Sequence, residues 1–179
     1  MPPDPVVADK FTTHIDQPMV VFVLGARANH LRKLRQTLQV FSAFTPMLDT
    51  LRAHPEKGFL HGDVYFTLIP LATVMISYWR SYDDLERFSR SKDDPHLAAW
   101  HDFNRKVGYD GSVGIWHETY LVAPGQVEAL YGNMPPIGLA KATGHIESVT
   151  RGAAHLRKGR GRLTGTEPTL SPELEVYDE

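Results

Sequence analysis

Apolar positions along the chain fall into two kinds of run. Met19 to Leu24 (MVVFVL) is a continuous β-branched and aromatic stretch closing at Gly25, the pattern of a strand buried on both faces. From His30 to about Ala53, Leu31, Leu34, Leu38, Phe41, Phe44, Leu48 and Leu51 recur at steps of three and four, which predicts an amphipathic helix with Asn29 as its N-cap. Pro46 removes a backbone donor inside that stretch, so a kink or a break into two helices is expected near Thr45. Gly58 to Phe66 and Ala72 to Trp79 read as two further strands, separated by Pro70. Ser81, followed by Asp83 and Asp84, predicts a capped helix to about Ser91 with Leu85 and Phe88 inward. After the break at KDDP a helix is expected from His96 to Val107, and Gly111 leads into a last strand, Val113 to Val122.

This order is βαββαβ, an α+β arrangement of ferredoxin-like type, with one antiparallel sheet and helices on one face. Apolar residues on alternate positions of all four strands imply that the other face is covered too, and self-association into a homodimer is the simplest cover. Residues 1–18 hold four prolines and little periodicity, and read as an N-terminal arm. Residues 19–143 form the expected domain, in which Ala123 to Ala142 wraps over the core or across a partner. Residues 144–179 read as a flexible charged tail, with Arg151, Arg157, Lys158, Arg160 and Arg162 ahead of an acidic end.

Composition narrows the chemistry. With 179 residues, 42% of them hydrophobic and 22% charged, the chain suits one domain with a real core. A net charge of -2 supplies no field to gather nucleic acid or an anionic membrane. The absence of cysteine removes disulfides, thiolate nucleophiles and sulfur-ligated metals. No stretch approaches the roughly 18 apolar residues of a membrane span, and a cytoplasmic location is expected. No histidine and carboxylate spacing suggests a metal site, and Gly25 alone after the first strand is no dinucleotide loop.

The run YWRSYDDLERFSRSKDDPHLAAWHDFN, Tyr78 to Asn104, resembles the third strand and following helices of dimeric α/β-barrel proteins of the antibiotic biosynthesis monooxygenase type. Met19 to about Thr143 is similar to a small monooxygenase-like family that includes the fumagillin-pathway polyketide monooxygenase. The resemblance implies oxidation of a hydrophobic specialised metabolite, polyketide-like or polyene-like, by O2 in an apolar barrel cavity. It leaves open a cofactor-free reaction or a haem-assisted one. PHLAAWHDF also resembles the haem-ligating helix of staphylococcal haem-degrading monooxygenases, which puts His101 at the ligand position; Phe88 and Trp100 depart from that pattern.

The residues themselves suggest roles for several side chains. On the predicted helix His96 competes with His101 as the inward imidazole, so either is a candidate haem ligand, and His101 a candidate catalytic group. His117, on the side of the last strand that carries Ile115 and Thr119, is a candidate general base. Arg27 and Asn29, just past the first strand, are placed to hold a substrate oxygen. Phe22, Tyr78, Trp79, Phe88, Trp100 and Trp116 are the expected cavity lining. His30, His54 and His61 are assigned no chemistry. The alternatives are a non-catalytic dimeric module that binds haem or a hydrophobic ligand, and a haem-dependent lyase like an aldoxime dehydratase.

Overall fold

The computed structural model describes residues 4–91 and 110–149; the helix expected from His96 to Val107 and most of the expected C-terminal tail lie outside them. In chain order the elements are β1 (Val7–Thr12), β2 (Met19–Ala28), α1 (Leu34–Ser42), α2 (Phe44–Ala53), β3 (Phe59–Leu68), β4 (Leu71–Trp79), α3 (Tyr82–Arg90), β5 (Val113–Val122), β6 (Tyr131–Met134), α4 (Leu139–Thr143) and β7 (Glu147–Ser148). The main sheet has the order β3-β4-β2-β5, every pairing antiparallel, which is the ferredoxin-like arrangement expected. Val20 to Arg27 of β2 pair with β4 on one side, and Met19 to Ala28 pair with β5 on the other.

Side chains alternate between the faces of a strand, so this register sorts them into two sets. Val20, Ala26, Met75, Trp79 and Phe59 face α1, α2 and α3 and pack there with Phe41, Phe44, Leu48, Leu51, Leu85 and Phe88. Met19, Val21, Gly25, Tyr78 and Trp116 belong to the opposite, outer face. Gly25 does not close the first strand, which runs on to Ala28. A Cβ at Gly25 would lie 2.1 Å from two ring atoms of Trp116, its cross-strand partner, so the bare backbone is what lets the indole lie flat there.

Proline breaks the long helix as expected, two residues early. The first helix ends at Ser42, Ala43 separates the two, and Pro46 falls in the first turn of α2, where a missing N–H costs nothing. Asn29 is not a cap: its side-chain amide donates to the Gly111 carbonyl and its backbone N–H to the Ser112 carbonyl. The inward stripe starts at Thr37 and Phe41, while Leu31, Leu34 and Leu38 stay exposed. The largest departure is at the ends. The segment read as an arm supplies β1, which pairs with β6 on one side and β7 on the other, and β7 falls within the segment read as tail.

The α3 cap behaves as predicted and reaches further. Ser81 accepts from the Asp84 backbone N–H at 3.1 Å and its hydroxyl donates to Asp84 Oδ2 at 2.9 Å, a reciprocal pair at the helix start. The Asp84 carboxylate, buried, also receives Arg80 Nε at 3.0 Å and an Arg87 guanidinium nitrogen at 2.8 Å. Arg80 holds its carboxyl below the ordinary aspartate range, against the opposing effect of burial. Gly58, at φ 83°, makes room for it, since a Cβ there would meet Asp84 Oδ2 at 2.3 Å. Asp84→Ala is expected to lower stability by about 2 to 3 kcal/mol, read as a lower urea midpoint at unchanged m, because it removes the carboxylate that receives Ser81, Arg80 and Arg87.

Candidate active site

The chain ends roof one end of the outer sheet face. Ile15, Met19 and Leu139 form a second buried cluster with Tyr78, Val122, Val127 and Ala129 packed against it. β1 contributes Phe11, fully buried and stacked on Tyr131 at 4.8 Å and 10°. Between this roof and the sheet lies a cavity of about 400 Å³, lined by Met19, Val21, Tyr78, Leu139 and residues 127–131. Its walls set aliphatic side chains beside two phenols and the Glu128 carboxylate.

Burial, more than any charge, pushes the Tyr78 hydroxyl up to about 12, and Tyr131, Tyr65 and Asp63 add to the shift. Tyr131 is pushed up as well, again by burial, and its hydroxyl accepts the Ala140 backbone N–H at 3.2 Å. Both phenols are therefore protonated at neutral pH. Behind Tyr78 sits His61, its cross-strand partner, buried, with Nε2 at 3.1 Å from Asp63 Oδ2. That is the spacing of an ion pair without the alignment of a hydrogen bond. His61 nonetheless holds the Asp63 carboxyl below its ordinary value, overcoming burial, and the Gly138 backbone N–H donates to the same oxygen at 3.1 Å. Gly138 has φ 55°, and a Cβ on it would stand 3.1 Å from the Tyr78 oxygen. One turn of backbone thus touches both the carboxylate and the phenol.

The residues named from sequence are divided by the sheet. Tyr78 lines the cavity. Trp116 shares its face but covers Gly25, further along β2. Trp79 and Phe88 fill the helix-side core instead of lining a cavity: they are 1% and 4% exposed, with rings 5.5 Å apart, and the Trp79 indole donates to Ser77. Phe22 is on the helix side beside His117, ring centroids 5.8 Å apart. Arg27 is exposed on the outer face six residues from Val21, about 20 Å along the strand. Asn29 is occupied by the loop at Gly111. Arg27, Asn29 and His117 are therefore not brought together. His96, Trp100 and His101 lie outside the described residues. Sequence reasoning missed His61, Asp63 and Tyr131. The signal that finds the first two is the alternation His61, Asp63, Tyr65, which puts three polar side chains on one face of a strand.

This cavity is a poor fit for haem. Among the described residues none of those lining it is a histidine, and tyrosine ligates iron as a phenolate, the form that burial disfavours at Tyr78 and Tyr131. Among the described residues no three His, Asp or Glu side chains gather to hold a metal ion, and no helix is long and apolar enough to cross a membrane.

A family model described as Monooxygenase af470-like matches residues 19–139. Monooxygenase af470 of Aspergillus fumigatus is 29% identical over 147 residues, which is 75% of this chain and 51% of that protein. Among solved structures, an aldoxime dehydratase aligns with TM-score 0.60 at 18% identity, over 84% of this chain and 44% of that one. A variant of SnoaB, a cofactor-independent oxygenase from Streptomyces nogalater, aligns with TM-score 0.42 at 14% identity, over 57% of this chain and 90% of that one. The chain thus spans about half the length of the curated relative it matches.

The depressed Asp63 ionisation fixes a pH dependence. Its folded pKa lies below the ordinary 3.8, so the pair stabilises the fold above that value and the contribution fades as pH falls through the folded pKa. Urea midpoints of the native chain and Asp63→Asn are expected to differ at pH 6 and converge toward pH 3; a constant gap contradicts the assignment.

Proposed function

The chain belongs to the Monooxygenase af470-like family, and on that premise we propose that it oxidises an apolar, electron-rich small molecule with O2, bound in the cavity beneath the chain ends. The observation that carries this reading is the cavity of about 400 Å³ in which aliphatic side chains stand beside protonated phenols, a volume suited to a drug-sized ligand. Polyketide-like and polyene-like molecules are the substrate class, since the aliphatic side chains take apolar surface while two phenols and Glu128 can orient an oxygen. A reaction without cofactor suits this cavity, whose described residues do not fit haem. His117, Arg27 and Asn29 do not line this cavity and keep a proposed catalytic role only at a second centre, while His96 and His101, outside the described residues, keep the catalytic or ligand roles proposed for them.

The outer face beyond the cavity supports a homodimer. Trp116 and Tyr120 are 37% and 50% exposed there, on a part of the sheet face that no described helix covers, and a curated relative about twice as long has room for a second unit to cover such a face. Light scattering is expected to give twice the 20.1 kDa chain mass, and a monomer at micromolar concentration contradicts this assembly.

An oxygen electrode tests the activity. Polyene or aromatic polyketide substrates are expected to draw O2 in multiple turnovers, and Met19→Trp, which fills the cavity, to cut the rate by roughly tenfold or more. Stoichiometric binding without O2 uptake would instead make the chain a binding module.

A further inference from the structure

We propose that the Tyr78 hydroxyl donates a hydrogen bond to an oxygen of the bound substrate, and that the His61–Asp63 pair, tied to the same loop through Gly138, positions that hydroxyl. The cavity would then select apolar molecules that carry a ketone, enol or phenol oxygen. This rests on the cavity being the substrate site.

The geometry leaves Tyr78 little else to do. The backbone N–H of Leu139 is directed toward its oxygen and can serve one lone pair, which leaves the O–H to donate into the cavity that Tyr78 lines. Tyr131, the other phenol in the wall, already accepts from Ala140 and lies stacked on Phe11, which fixes its ring. A half-buried, protonated phenol in a cavity wall is a preorganised donor, strongest toward an oxygen that carries negative charge. No proton needs to change hands. Position is set from the loop: Asp63 receives the Gly138 N–H, and Gly138 lies so near the Tyr78 oxygen that a Cβ on it would stand 3.1 Å away. His61 holds Asp63 in place from its own strand. The groups that surround the phenol are thus His61, Asp63 and Tyr65 from β3 and Tyr131 from β6, with Lys141 of α4 acting on Asp63 and Glu128 in the cavity wall.

The probe is 2-naphthol, an apolar phenol whose absorbance reports its ionisation, titrated against pH in the presence of the full chain. In the native protein the bound probe is expected to ionise about one pH unit below its value in Tyr78→Phe, a roughly tenfold preference for the anion. Asp63→Asn and His61→Gln are expected to lose part of that shift while binding neutral 2-naphthol as before, a change that a purely structural role would not produce. Should Tyr78→Phe fail to fold, 3-fluorotyrosine at position 78 keeps the shape with a stronger donor, and the shift is expected to grow. An unchanged titration in Tyr78→Phe, or with 3-fluorotyrosine, overturns the donor role and leaves the cavity reading standing. Unchanged titrations in both pair variants overturn the positioning role. No binding of 2-naphthol by the native chain overturns this proposal together with the cavity reading on which it rests.

Discussion

The constraint on which the rest depends is the double pairing of β2. A ten-residue strand with a partner along each side has no edge of its own, and both its faces must be kept from water. Its neighbouring residues Met19 and Val20 accordingly belong to different cores, Val20 to the one beneath the helices and Met19 to the one beneath the chain ends. The helices cover one face completely enough that Trp79, Met75 and Leu51 are fully buried. Among the described residues the other face has only the short strands and α4 to cover it, and these reach one end. Where a roof made of irregular chain meets a flat sheet, side chains do not interdigitate as closely as helix ridges do, and a cavity remains.

That cavity owes its polarity to the same geometry. The roof brings backbone N–H groups of residues 138–140 down onto the sheet, and each needs an acceptor. Asp63 and Tyr131 accept two of them, at 3.1 and 3.2 Å. The polar groups in the wall are therefore held in place by the fold before any ligand arrives. His61 sits on the neighbouring strand, with Nε2 3.1 Å from the Asp63 carboxylate. A glycine at 138 is required twice, by its positive φ and by the nearness of the Tyr78 oxygen.

Much of this fold is legible in the chain. The β-branched runs, the proline in the helical stretch and the serine before Asp84 each state a local rule that the fold obeys. β5 begins and ends where its apolar alternation does, and Ser81 caps α3 as its position implies. The illegible parts are those where long-range contact overrides local pattern. Phe11 and Ile15 look like isolated apolar residues in a proline-rich leader until β6 and Leu139 close over them. Gly25 reads as a terminator, because nothing nearby in sequence announces the Trp116 ring lying on it. Trp79 has the residue type of a cavity wall, but only the register, which puts odd positions of β4 under the helices, assigns it to the core. Asp63 and His61 were visible as an alternation, and their partner Gly138 lies 75 residues away.

Whether substrates bind beneath the chain ends can be read from the methionine methyl groups. The chain has five methionines, of which Met19 lines the cavity while Met47 and Met75 are buried in the helix-side core. With methyl-labelled methionine, NMR titration with an apolar ketone is expected to shift the Met19 resonance and leave those of Met47 and Met75 in place. Shifts at Met75 and Met47 with Met19 unmoved would put the ligand on the other side of the sheet and contradict the account.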